Sequence, residues 1–552
     1  MPNLYLDALP SHISRSTVSR LLIQVGGIDK RLIGAIRVDG RRAAVEVPDK
    51  WSHRLAAALD GANLAGRHIR CWCETSFSEG DGESHFQRLC RLLSLEAEEE
   101  MRRAMAAASG DLAAAEQSGN TIGNLHIRER SGGLGGRLLI TLSKDAPQLL
   151  PWTRLGVGAP ILLTSQNDQR DGFRGVVSWK TQREIQVAFS QPPSDEQSAG
   201  PLRIDISPDE ISHRRQRRAL ERAEQASGDR LSELRRALLG SRPPESVDGD
   251  APQIAGNSLN QSQRRAIVSA LQASDFAMIH GPPGTGKTTT VAHFINAAAA
   301  RGETVLACAP SNLAVDNLFE RVLALGDRAI RIGHPARVLP QLRDNTLDLM
   351  VQSHPDMQIV KKLTRDAHAL LDRADRYTRS KPPPGAKREM RIEARQMLND
   401  ARRLESQVVH AILDEAQVIC ATLTSLDSDI LGQRRFDWAV IDEACQSTEP
   451  ACWIPLLRCD RLLLAGDHCQ LPPTVISRDA QQQGFGVSLF ERLMNAPGQQ
   501  VSHVLQVQYR MHESIMEFSS SWFYDEQLTA AESVARHLLS ELPDVEKNQW
   551  TE

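Results

Sequence analysis

Apolar and polar positions alternate with different periods along the chain, and the changes of period mark its segments. Residues 1–75 predict the order strand, helix, strand, strand, helix, strand. Residues 86–240 favour helix at both ends, and between them short apolar runs separated by Gly, Asp and Pro turns predict a small β-barrel at about 122–206. From residue 258 onward, fully apolar runs typical of buried parallel strands alternate with helices.

Composition marks the boundaries between these segments. Residues 76–85 are small and polar, and residues 241–257 are rich in Pro and Gly, so both stretches are predicted linkers. Residues 335–415 are charged and mostly helical, with a predicted loop at 381–385, and they interrupt the alternation of strands and helices. We therefore expect a helical insertion inside the segment that begins at residue 258.

The N-terminal segment predicts a βαββαβ module, the split ferredoxin-like order that RNA-recognition modules use. Its strands are expected at 4–6, 32–38, 43–47 and 68–72, and its helices at 14–25 and 50–59. The third strand carries no aromatic residue, so the usual base-stacking surface is absent. An α/β protein–protein module remains the alternative to an RNA-binding one.

Short motifs in this module carry a family resemblance. Gly26-Gly-Ile-Asp, Ile33-Gly-Ala-Ile, Val45-Glu-Val-Pro and Leu64-Ala-Gly-Arg resemble the C-terminal RNA-binding module of DbpA-type DEAD-box helicases. The resemblance implies RNA binding by residues 1–75.

Length and composition limit the class of protein. At 552 residues the chain is too long for one core and should form three or four domains. Its 41% hydrophobic and 24% charged residues are ordinary for soluble proteins, and no apolar run approaches the ~18 residues of a membrane span. The nine cysteines include no C-x-x-C pair, and the N-terminus lacks an apolar signal core, so we expect a cytoplasmic protein without a membrane partner. Because the net charge is −4, any basic surface that binds nucleic acid must be confined to part of the chain.

Residues 281–288, with the sequence GPPGTGKT, form the strongest motif and are called the phosphate loop below. The apolar run 276–280 precedes it and an Ala-rich helix follows it, which is the context that phosphate binding requires. Backbone N–H groups and the helix N-terminus would face an anion, Lys287 would reach the β- and γ-phosphates, and the Thr288 hydroxyl would hold Mg²⁺. An ordinary Gly-rich turn is the alternative.

Two polar positions flank the phosphate loop in the sequence. Gln263 precedes it by one helix, and its amide donor and acceptor would suit the edge of adenine, which selects ATP; a surface Gln is the alternative. After the next apolar run, Ser311 and Asn312 suit contacts to a phosphodiester backbone. A helix cap at either residue is the alternative there.

A third apolar run, 438–441, ends in adjacent carboxylates. Asp442 at a strand tip suits the Mg²⁺ shell, and Glu443 suits activation of the attacking water. Ordinary surface carboxylates are the alternative, which the phosphate loop upstream disfavours. Farther on, Gln470 could sense the γ-phosphate, and Pro472 and Pro473 could stiffen a link to a bound strand.

Tyr509 and Arg510 complete the ordered set of motifs. An arginine supplied by a second domain can stabilise charge on the transferring phosphoryl group, which raises the rate by about 10³–10⁵ in comparable enzymes. The predicted catalytic residues are thus Glu443, Gln470 and Arg510. The predicted nucleotide-binding residues are Gln263, Gly281, Pro282, Pro283, Gly284, Thr285, Gly286, Lys287, Thr288 and Thr289.

The ordered set resembles superfamily 1 helicases of the Upf/senataxin/immunoglobulin-μ-binding-protein branch. The resemblance implies an α/β fold with a RecA-like parallel-sheet core, a stalked β-barrel at 86–240, a helical insertion at about 335–415 and the RRM-like module at the N-terminus. It implies a first RecA-like domain at 258–480 and the start of a second at 481–552. It also implies that Gln263 and Tyr509 hold adenine, and that the strand lies along Ser311, Asn312, Thr424, Pro472 and Pro473.

The family pattern continues beyond the motif around Arg510, with another γ-phosphate arginine and further strand contacts. This chain ends at Glu552, so we expect a fragment, a natural truncation or completion by a second polypeptide. Cycling should then be impaired although ATP still binds. We also expect residues past about 480 to be poorly packed.

Two functions from different classes remain open at this point. The leading hypothesis is a helicase or translocase that hydrolyses Mg²⁺-ATP and steps along single-stranded nucleic acid, 5′ to 3′ by family likeness. The N-terminal module favours single-stranded or structured RNA and leaves DNA open. The alternative is an ATP-gated RNA-binding or regulatory protein that clamps without unwinding. A metabolic P-loop kinase would not explain Gln263, Gln470, Tyr509 and Arg510 together.

Overall fold

A computed structural model describes residues 3–548 with internal gaps. Those gaps are 8, 11–12, 26, 40–41, 49–50, 52–54, 56–58, 60–61, 65–66, 74–82, 109–111, 133–137, 146–147, 167–171, 190–199, 247–258, 334, 376–384, 427, 496–500 and 542. The chain forms two compact units: Met1–Arg88 with Phe518–Glu526, and Leu89–Glu517 with Gln527–Glu552. Among the described residues, no helix is both long enough and apolar enough to cross a membrane.

The N-terminal module has the expected βαββ…β sheet. Four antiparallel strands pair in the order β2-β3-β1-β6, and Ser14 caps helix α1 by accepting a hydrogen bond from the Thr17 amide. Alternate residues of β1 and β3, Leu4, Leu6 and Val45, are fully buried against α1. The bounds are β1 (Asn3–Asp7), α1 (Arg15–Gln24), β2 (Ile36–Asp39), β3 (Arg42–Glu46), β4 (Asn63–Leu64), β5 (Arg67–His68) and β6 (Arg70–Cys73).

Two predicted elements of this module differ or are only partly described. The strand predicted at 32–38 begins at Ile36, because Lys30–Leu32 forms a 3-10 turn that the Asp29 side chain caps at the Arg31 amide. Of the helix predicted at 50–59, the structure describes helical backbone at residues 51, 55 and 59, and the remaining positions lie outside the described residues.

The predicted β-barrel is confirmed, and it is closed. Six strands pair in the order β10-β11-β8-β7-β12-β9, and inward positions alternate with outer ones along β11, as Ile185, Val187 and Phe189 are fully buried. Helix flanks it on both sides in the sequence. The bounds are α2 (His85–Ala108), α3 (Leu112–Gln117), β7 (Thr121–Gly132), β8 (Leu138–Ser143), β9 (Pro160–Ser165), β10 (Phe173–Lys180), β11 (Glu184–Phe189), β12 (Leu202–Ile206), α4 (Glu210–Gln225) and α5 (Arg230–Leu238).

The core of the second unit is a seven-stranded parallel sheet in the order β15-β16-β14-β17-β18-β13-β19. Strands β13, β14 and β16 are buried at every position, as expected for a sheet covered by helices on both faces. The bounds are α6 (Gln261–Gln272), β13 (Phe276–His280), α7 (Lys287–Ala300), β14 (Val305–Ala309), α8 (Asn312–Ala324), β15 (Ala329–Arg331), β16 (Val418–Thr422), α12 (Ser428–Leu431), β17 (Phe436–Ile441), α13 (Glu449–Leu456), β18 (Cys459–Gly466) and β19 (Ser502–Val504).

The helical insertion is confirmed between β15 and β16. Helices α9 (Leu347–Ser353), α10 (Met357–Asp375) and α11 (Ala386–Glu415) fill it, and buried alanines, among them Ala367 and Ala394, allow α10 and α11 to pack closely. Of the predicted loop at 381–385, residues 381–384 lie outside the described residues. Gly385 precedes α11 with a left-handed φ of +95°.

The expectation of poor packing past residue 480 is wrong for residues 485–495 and 501–505. Helix α15 (Leu489–Met494) buries Leu489, Phe490 and Leu493 completely. Strand β19 extends the seven-stranded sheet beside β13, and Leu505 joins the core of that sheet. These residues are well packed because they complete the edge of the seven-stranded sheet. The remaining elements are α14 (Arg478–Gln482), β20 (Val507–Gln508), α16 (Glu513–Phe523), β21 (Thr529–Ala530) and α17 (Glu532–Ala535).

Candidate nucleotide-binding site

The phosphate loop connects the end of β13 to the first turn of α7. Gly284 and Gly286 have left-handed φ values of +78° and +75°, which side chains other than glycine rarely adopt. A Cβ on Gly281 would lie 2.6 Å from the Cβ of Lys287. The glycines therefore leave the backbone close to the helix N-terminus with no side chain in the way, which is the shape that an anion cradle needs.

Lys287 lies under this loop, and 8% of its surface is exposed. Its Nζ is 2.8 Å from the Glu443 Oε1. Burial alone would lower the pKa of Lys287, but the charges of Asp442 and Glu443 outweigh it and the pKa is raised. Lys287 is therefore a fixed cation that is paired with the Glu443 carboxylate.

Thr288 and Asp442 meet at the tips of neighbouring elements. The Thr288 hydroxyl donates to the Asp442 Oδ2 at 2.9 Å, although 154 residues separate the two in sequence. Burial raises the pKa of Asp442 above its ordinary value, in spite of the opposing charge of Lys287. A hydroxyl and a carboxylate oxygen held together beside a phosphate cradle are hard oxygen ligands of the kind Mg²⁺ takes, so these two residues fit the ion.

Glu443 adopts a backbone conformation that is rare for its residue type. Its φ is +54°, and its amide donates to the Asp442 Oδ1 at 2.9 Å. The Gln446 Nε2 donates to the Glu443 Oε2 at 3.0 Å. Non-glycine residues in this region cluster at functional sites, because surrounding contacts must hold the strain. Gln446 was not among the predicted residues, and nothing in its local sequence marks it.

Gln470 lies on the turn after β18 and is held by an aspartate that the sequence did not single out. The Gln470 Nε2 donates to the Asp467 Oδ2 at 2.6 Å. The Asp467 Oδ1 is 3.0 Å from the His280 Nε2 and accepts from the Cys469 amide at 3.1 Å. Asp467 thus ties the predicted γ-phosphate sensor to the last residue of β13, next to the phosphate loop.

Gln263 lies against the phosphate loop, with both ends of its amide bonded to backbone. Its Nε2 donates to the Thr285 carbonyl at 3.0 Å, and its Oε1 accepts from the Asn260 amide at 3.0 Å. The second bond belongs to a capping box, for which Asn260 three residues before Gln263 is a readable signal. The structure shows Gln263 as a support for the loop, and recognition of adenine by it stays a prediction.

Tyr509 and Arg510 also lie at the phosphate loop. The Tyr509 amide donates to the Gly284 carbonyl at 2.8 Å, and its hydroxyl accepts from the Asn260 Nδ2 at 3.1 Å. A Cβ on Gly284 would lie 2.6 Å from the Arg510 Cβ. Fully buried Gln508 fixes this segment, because its Oε1 accepts the Arg510 and Met511 amides.

The predicted strand-binding residues follow the carboxyl ends of parallel strands, so they belong to one edge of the sheet. Ser311 follows β14, Thr424 follows β16, and Pro472 and Pro473 follow β18. The Ser311 hydroxyl caps α8 by accepting from the Ala314 amide at 3.2 Å, as the alternative interpretation held. Pro472 is exposed, whereas Pro473 is buried.

Three of the predicted residues accept hydrogen bonds from arginine side chains. The Asn312 Oδ1 accepts from the Arg331 Nη2 at 2.8 Å. The Thr424 carbonyl accepts from the Arg215 Nη1 at 2.6 Å, and the Thr289 hydroxyl accepts from the Arg321 Nη1 at 3.1 Å.

A carboxylate on helix α2, which precedes the barrel, contacts the segment after Gln470. The Glu96 carboxylate, on α2, accepts the Ile476 and Ser477 amides at 2.7 and 2.8 Å, and 8% of Glu96 is exposed. No local pattern in the sequence could have indicated this contact, because 380 residues separate Glu96 from Ile476.

Known families match almost the whole chain. Residues 258–478 and 485–551 match AAA domains, and residues 87–200 match the 1B domain of the helicase SMUBP-2/HCS1. Residues 11–72 match the DbpA RNA binding domain.

Individual relatives agree with these matches. DNA-binding protein SMUBP-2 of Mus musculus is 35% identical over 487 residues, covering 85% of this chain and 48% of the relative. DNA polymerase alpha-associated DNA helicase A of Schizosaccharomyces pombe is 31% identical over 459 residues, covering 80% and 68%. Among solved structures, arterivirus nonstructural protein 10 (helicase) with DNA has a TM-score of 0.27 and 12% identity, covering 71% of this chain and 63% of that one, a likeness too low to argue from.

The chain spans about half the length of the SMUBP-2 proteins that it matches. It covers two thirds of the fission-yeast helicase at 31% identity. The chain belongs to the SMUBP-2 and Upf1-like family of superfamily 1 helicases.

Proposed function

We propose that this chain is an ATP-driven motor that moves along a single strand of nucleic acid and separates duplexes. The observation that carries the proposal is the arrangement of Lys287, Thr288, Asp442 and Glu443 around the phosphate loop, with Arg510 held against the same loop. A structural ion pair alone would not need a hydroxyl, two carboxylates and an arginine at one anion cradle. Its relatives include proteins named as helicases.

Each residue has a role that follows from its contacts. Thr288 and Asp442 would hold Mg²⁺, which neutralises charge on the phosphates when it is bound. A triphosphate would attract the Lys287 ammonium and so release Glu443 from its 2.8 Å ion pair. The freed Glu443 carboxylate, held by Gln446, could then orient the attacking water and accept its proton. Arg510 would stabilise negative charge at the same loop.

Hydrolysis would be coupled to movement through backbone contacts at the loop. The Tyr509 amide bonds the Gly284 carbonyl, and Gln508 fixes the Arg510 amide, so a shift of the loop would move the segment after β19. Gln470 would report on the γ-phosphate through its bond to Asp467. That change would reach the bound nucleic-acid strand through residues at the same edge of the sheet, namely Ser311, Asn312 and the region around Pro472.

The substrate is proposed to be single-stranded or structured RNA, with DNA as the alternative. The match of residues 11–72 to an RNA-binding domain supports RNA, whereas several relatives are named DNA-binding proteins or DNA helicases. Movement 5′ to 3′ is proposed from the family likeness. Competition binding with matched RNA and DNA oligonucleotides tests the preference, and tighter binding of DNA would overturn it.

Steady-state ATP turnover tests the proposal directly. Turnover should rise with added single-stranded RNA or DNA, and Glu443→Gln should lower it at least about 10²-fold, as loss of a general base does. Glu320→Gln, on the exposed face of α8, is the matched control and should behave as wild type. Nucleic-acid-independent turnover, or an active Glu443→Gln variant, would contradict the proposal.

A nucleotide-gated RNA clamp is the second candidate, and the RNA-binding domain match at 11–72 favours it. A clamp would bind RNA more tightly with ATP but would hydrolyse no more than about one ATP per binding event. A motor would hydrolyse many. Counting phosphate released per RNA bound, in the presence of an excess of competitor strand, therefore separates the two.

A further inference from the structure

A cluster of metal-ligand side chains lies next to the phosphate loop and includes neither of the two residues assigned to Mg²⁺. It comprises His280, at the end of β13, with Asp467, His468 and Cys469, on the turn after β18. One ligand atom from each residue lies within 4.8 Å of the other three. His280 and Asp467 are buried, whereas His468 and Cys469 are half-buried. Two of the four side chains are therefore fixed in the interior, and the other two are partly exposed to solvent.

We propose that His280, Asp467, His468 and Cys469 form a binding site for a thiophilic divalent transition metal such as Zn²⁺. Two imidazoles, one thiolate and one carboxylate are the ligand types of tetrahedral zinc sites. The same set disfavours Mg²⁺, which demands oxygen ligands in octahedral geometry. The site is thus chemically distinct from the oxygen pair of Thr288 and Asp442.

The distances fit such an ion. Zinc bonds of about 2.0–2.2 Å to N or O and about 2.3 Å to S, at tetrahedral angles, separate two N or O ligands by about 3.3 Å and N from S by about 3.6 Å. The His280 Nε2 and Asp467 Oδ1 are 3.0 Å apart, and the His468 Nε2 and Cys469 Sγ are 3.8 Å apart. Only the widest separations in the cluster must shrink, and the half-buried His468 and Cys469 can move to do so.

The fold explains why consecutive residues can converge here. In a strand, side chains at 467, 468 and 469 would point to alternate faces, but the chain leaves β18 at Gly466 and turns. The Cys469 amide bonds the Asp467 Oδ1, which folds the turn back on itself. The rings of His280 and His468 lie 4.8 Å apart between centroids.

Metal binding would reach the nucleotide site through Asp467. Coordination by the Oδ1 would leave the Oδ2 bonded to the Gln470 Nε2, so the ion would hold Gln470 against Asp467. We therefore expect Zn²⁺ to slow ATP turnover. This consequence rests on the proposed function, whereas the site itself does not.

Cobalt titration of the full chain tests the site without nucleotide. The reduced protein is freed of metal with a chelator, and one equivalent of Co²⁺ should produce a thiolate-to-cobalt charge-transfer band with the visible bands of tetrahedral cobalt. Cys469→Ser should abolish the charge-transfer band and weaken Co²⁺ binding at least about tenfold. Cys90→Ser, at a half-buried thiol on α2, is the matched control and should keep both. Absence of the band in wild type, or its persistence in Cys469→Ser, would overturn the site.

A second measurement uses the wild-type chain and so does not depend on a folded variant. Zn²⁺ should protect Cys469 from alkylation, mapped by peptide mass spectrometry, and leave the alkylation of Cys90 unchanged. Equal alkylation of Cys469 with and without Zn²⁺ would overturn the site. If Zn²⁺ binds but turnover is unchanged, the site stands and its coupling through Gln470 is refuted. A chain without any ATP turnover would instead refute the proposed function.

Discussion

Replacing Arg331 tests how the parallel sheet positions the residues that are predicted to bind the nucleic-acid strand. Its side chain is fully buried at the end of β15, and its Nε donates to the Asp316 Oδ1 at 3.0 Å. Its Nη2 donates to the Asn312 Oδ1 at 2.8 Å. Asp316 in turn accepts the Leu339 amide at 2.9 Å, where the helical insertion begins. One guanidinium therefore joins a predicted strand contact to the start of the insertion.

Arg331→Met removes the cation and leaves the Asp316 carboxylate, 1% exposed, without its partner. Breaking a buried pair in this way costs about 3–5 kcal/mol. The double variant Arg331→Met/Asp316→Asn removes the stranded charge, and the Asn oxygen can still accept the Leu339 amide. We expect the double variant to recover at least half of the lost stability, because most of the cost is the uncompensated carboxylate.

Hydrogen exchange read by mass spectrometry measures this locally, which suits a chain of several domains better than a single unfolding curve. Amides of β15 and β16 should exchange on the order of 10²- to 10³-fold faster in Arg331→Met, since every 1.4 kcal/mol is a factor of ten. Amides of β8, in the barrel, are the internal control and should not change. Wild-type exchange in the single variant, or no recovery in the double variant, would refute the reasoning.

Two further predictions concern the nucleotide site. Gly284→Ala should lower ATP turnover at least about tenfold, because it adds about 1–2 kcal/mol of left-handed strain and its Cβ would meet the Arg510 Cβ at 2.6 Å. Gly302→Ala carries the same strain at φ +79° with nothing within 4 Å, so it should retain wild-type turnover; equal losses would contradict the role of Arg510. Burial raises the pKa of Asp442, and the protonated acid cannot hold Mg²⁺, so the half-saturating Mg²⁺ concentration in the ATPase assay should rise as pH falls, and the rise should begin at a higher pH than for a carboxyl group of ordinary pKa. A constant value across the acid range would show that Asp442 is not the ligand.

The sequence indicates the chemical site because its motifs are short and local. The phosphate loop and Asp442 each follow an apolar run, and parallel strands bring their carboxyl ends to one edge. The pairs Lys287–Glu443 and Thr288–Asp442 follow from that topology, and the structure has both. The spacing of Asn260 to Gln263 also indicates a capping box, although the motif order alone favours adenine as the partner of the Gln263 amide.

Other features depend on contacts that no local pattern contains. The second half of strand β7 is polar, and Arg203 and Asp205 interrupt the apolar run of β12, so neither strand is marked by a continuous apolar pattern. The structure pairs these two side chains in the barrel at 2.7 Å, which allows them to be buried. Glu96 lies 380 residues from Ile476, whose amide its carboxylate accepts. Arg331 lies 19 residues from Asn312, its hydrogen-bond partner.

The edge of the seven-stranded sheet depends on a non-local contact of the same kind. The expectation of poor packing past about residue 480 assigns these residues to the second domain alone. Strand β19 instead pairs with β13, and Phe490 is fully buried, with its ring centroid 6.3 Å from that of His280 and 6.4 Å from that of His468. Only the register of β19 beside β13 shows which sheet these residues complete.

Strand displacement on a tailed duplex tests the central claim most directly. We expect the chain to release the labelled strand from a duplex with a 5′ single-stranded tail, in a reaction that requires hydrolysable ATP and fails with Glu443→Gln. A 3′-tailed duplex should be a poor substrate, and Glu320→Gln should act as wild type. Displacement that persists in Glu443→Gln, or that proceeds without ATP, would contradict an ATP-driven motor. No displacement from any tailed duplex, with ATP still hydrolysed, would contradict strand separation.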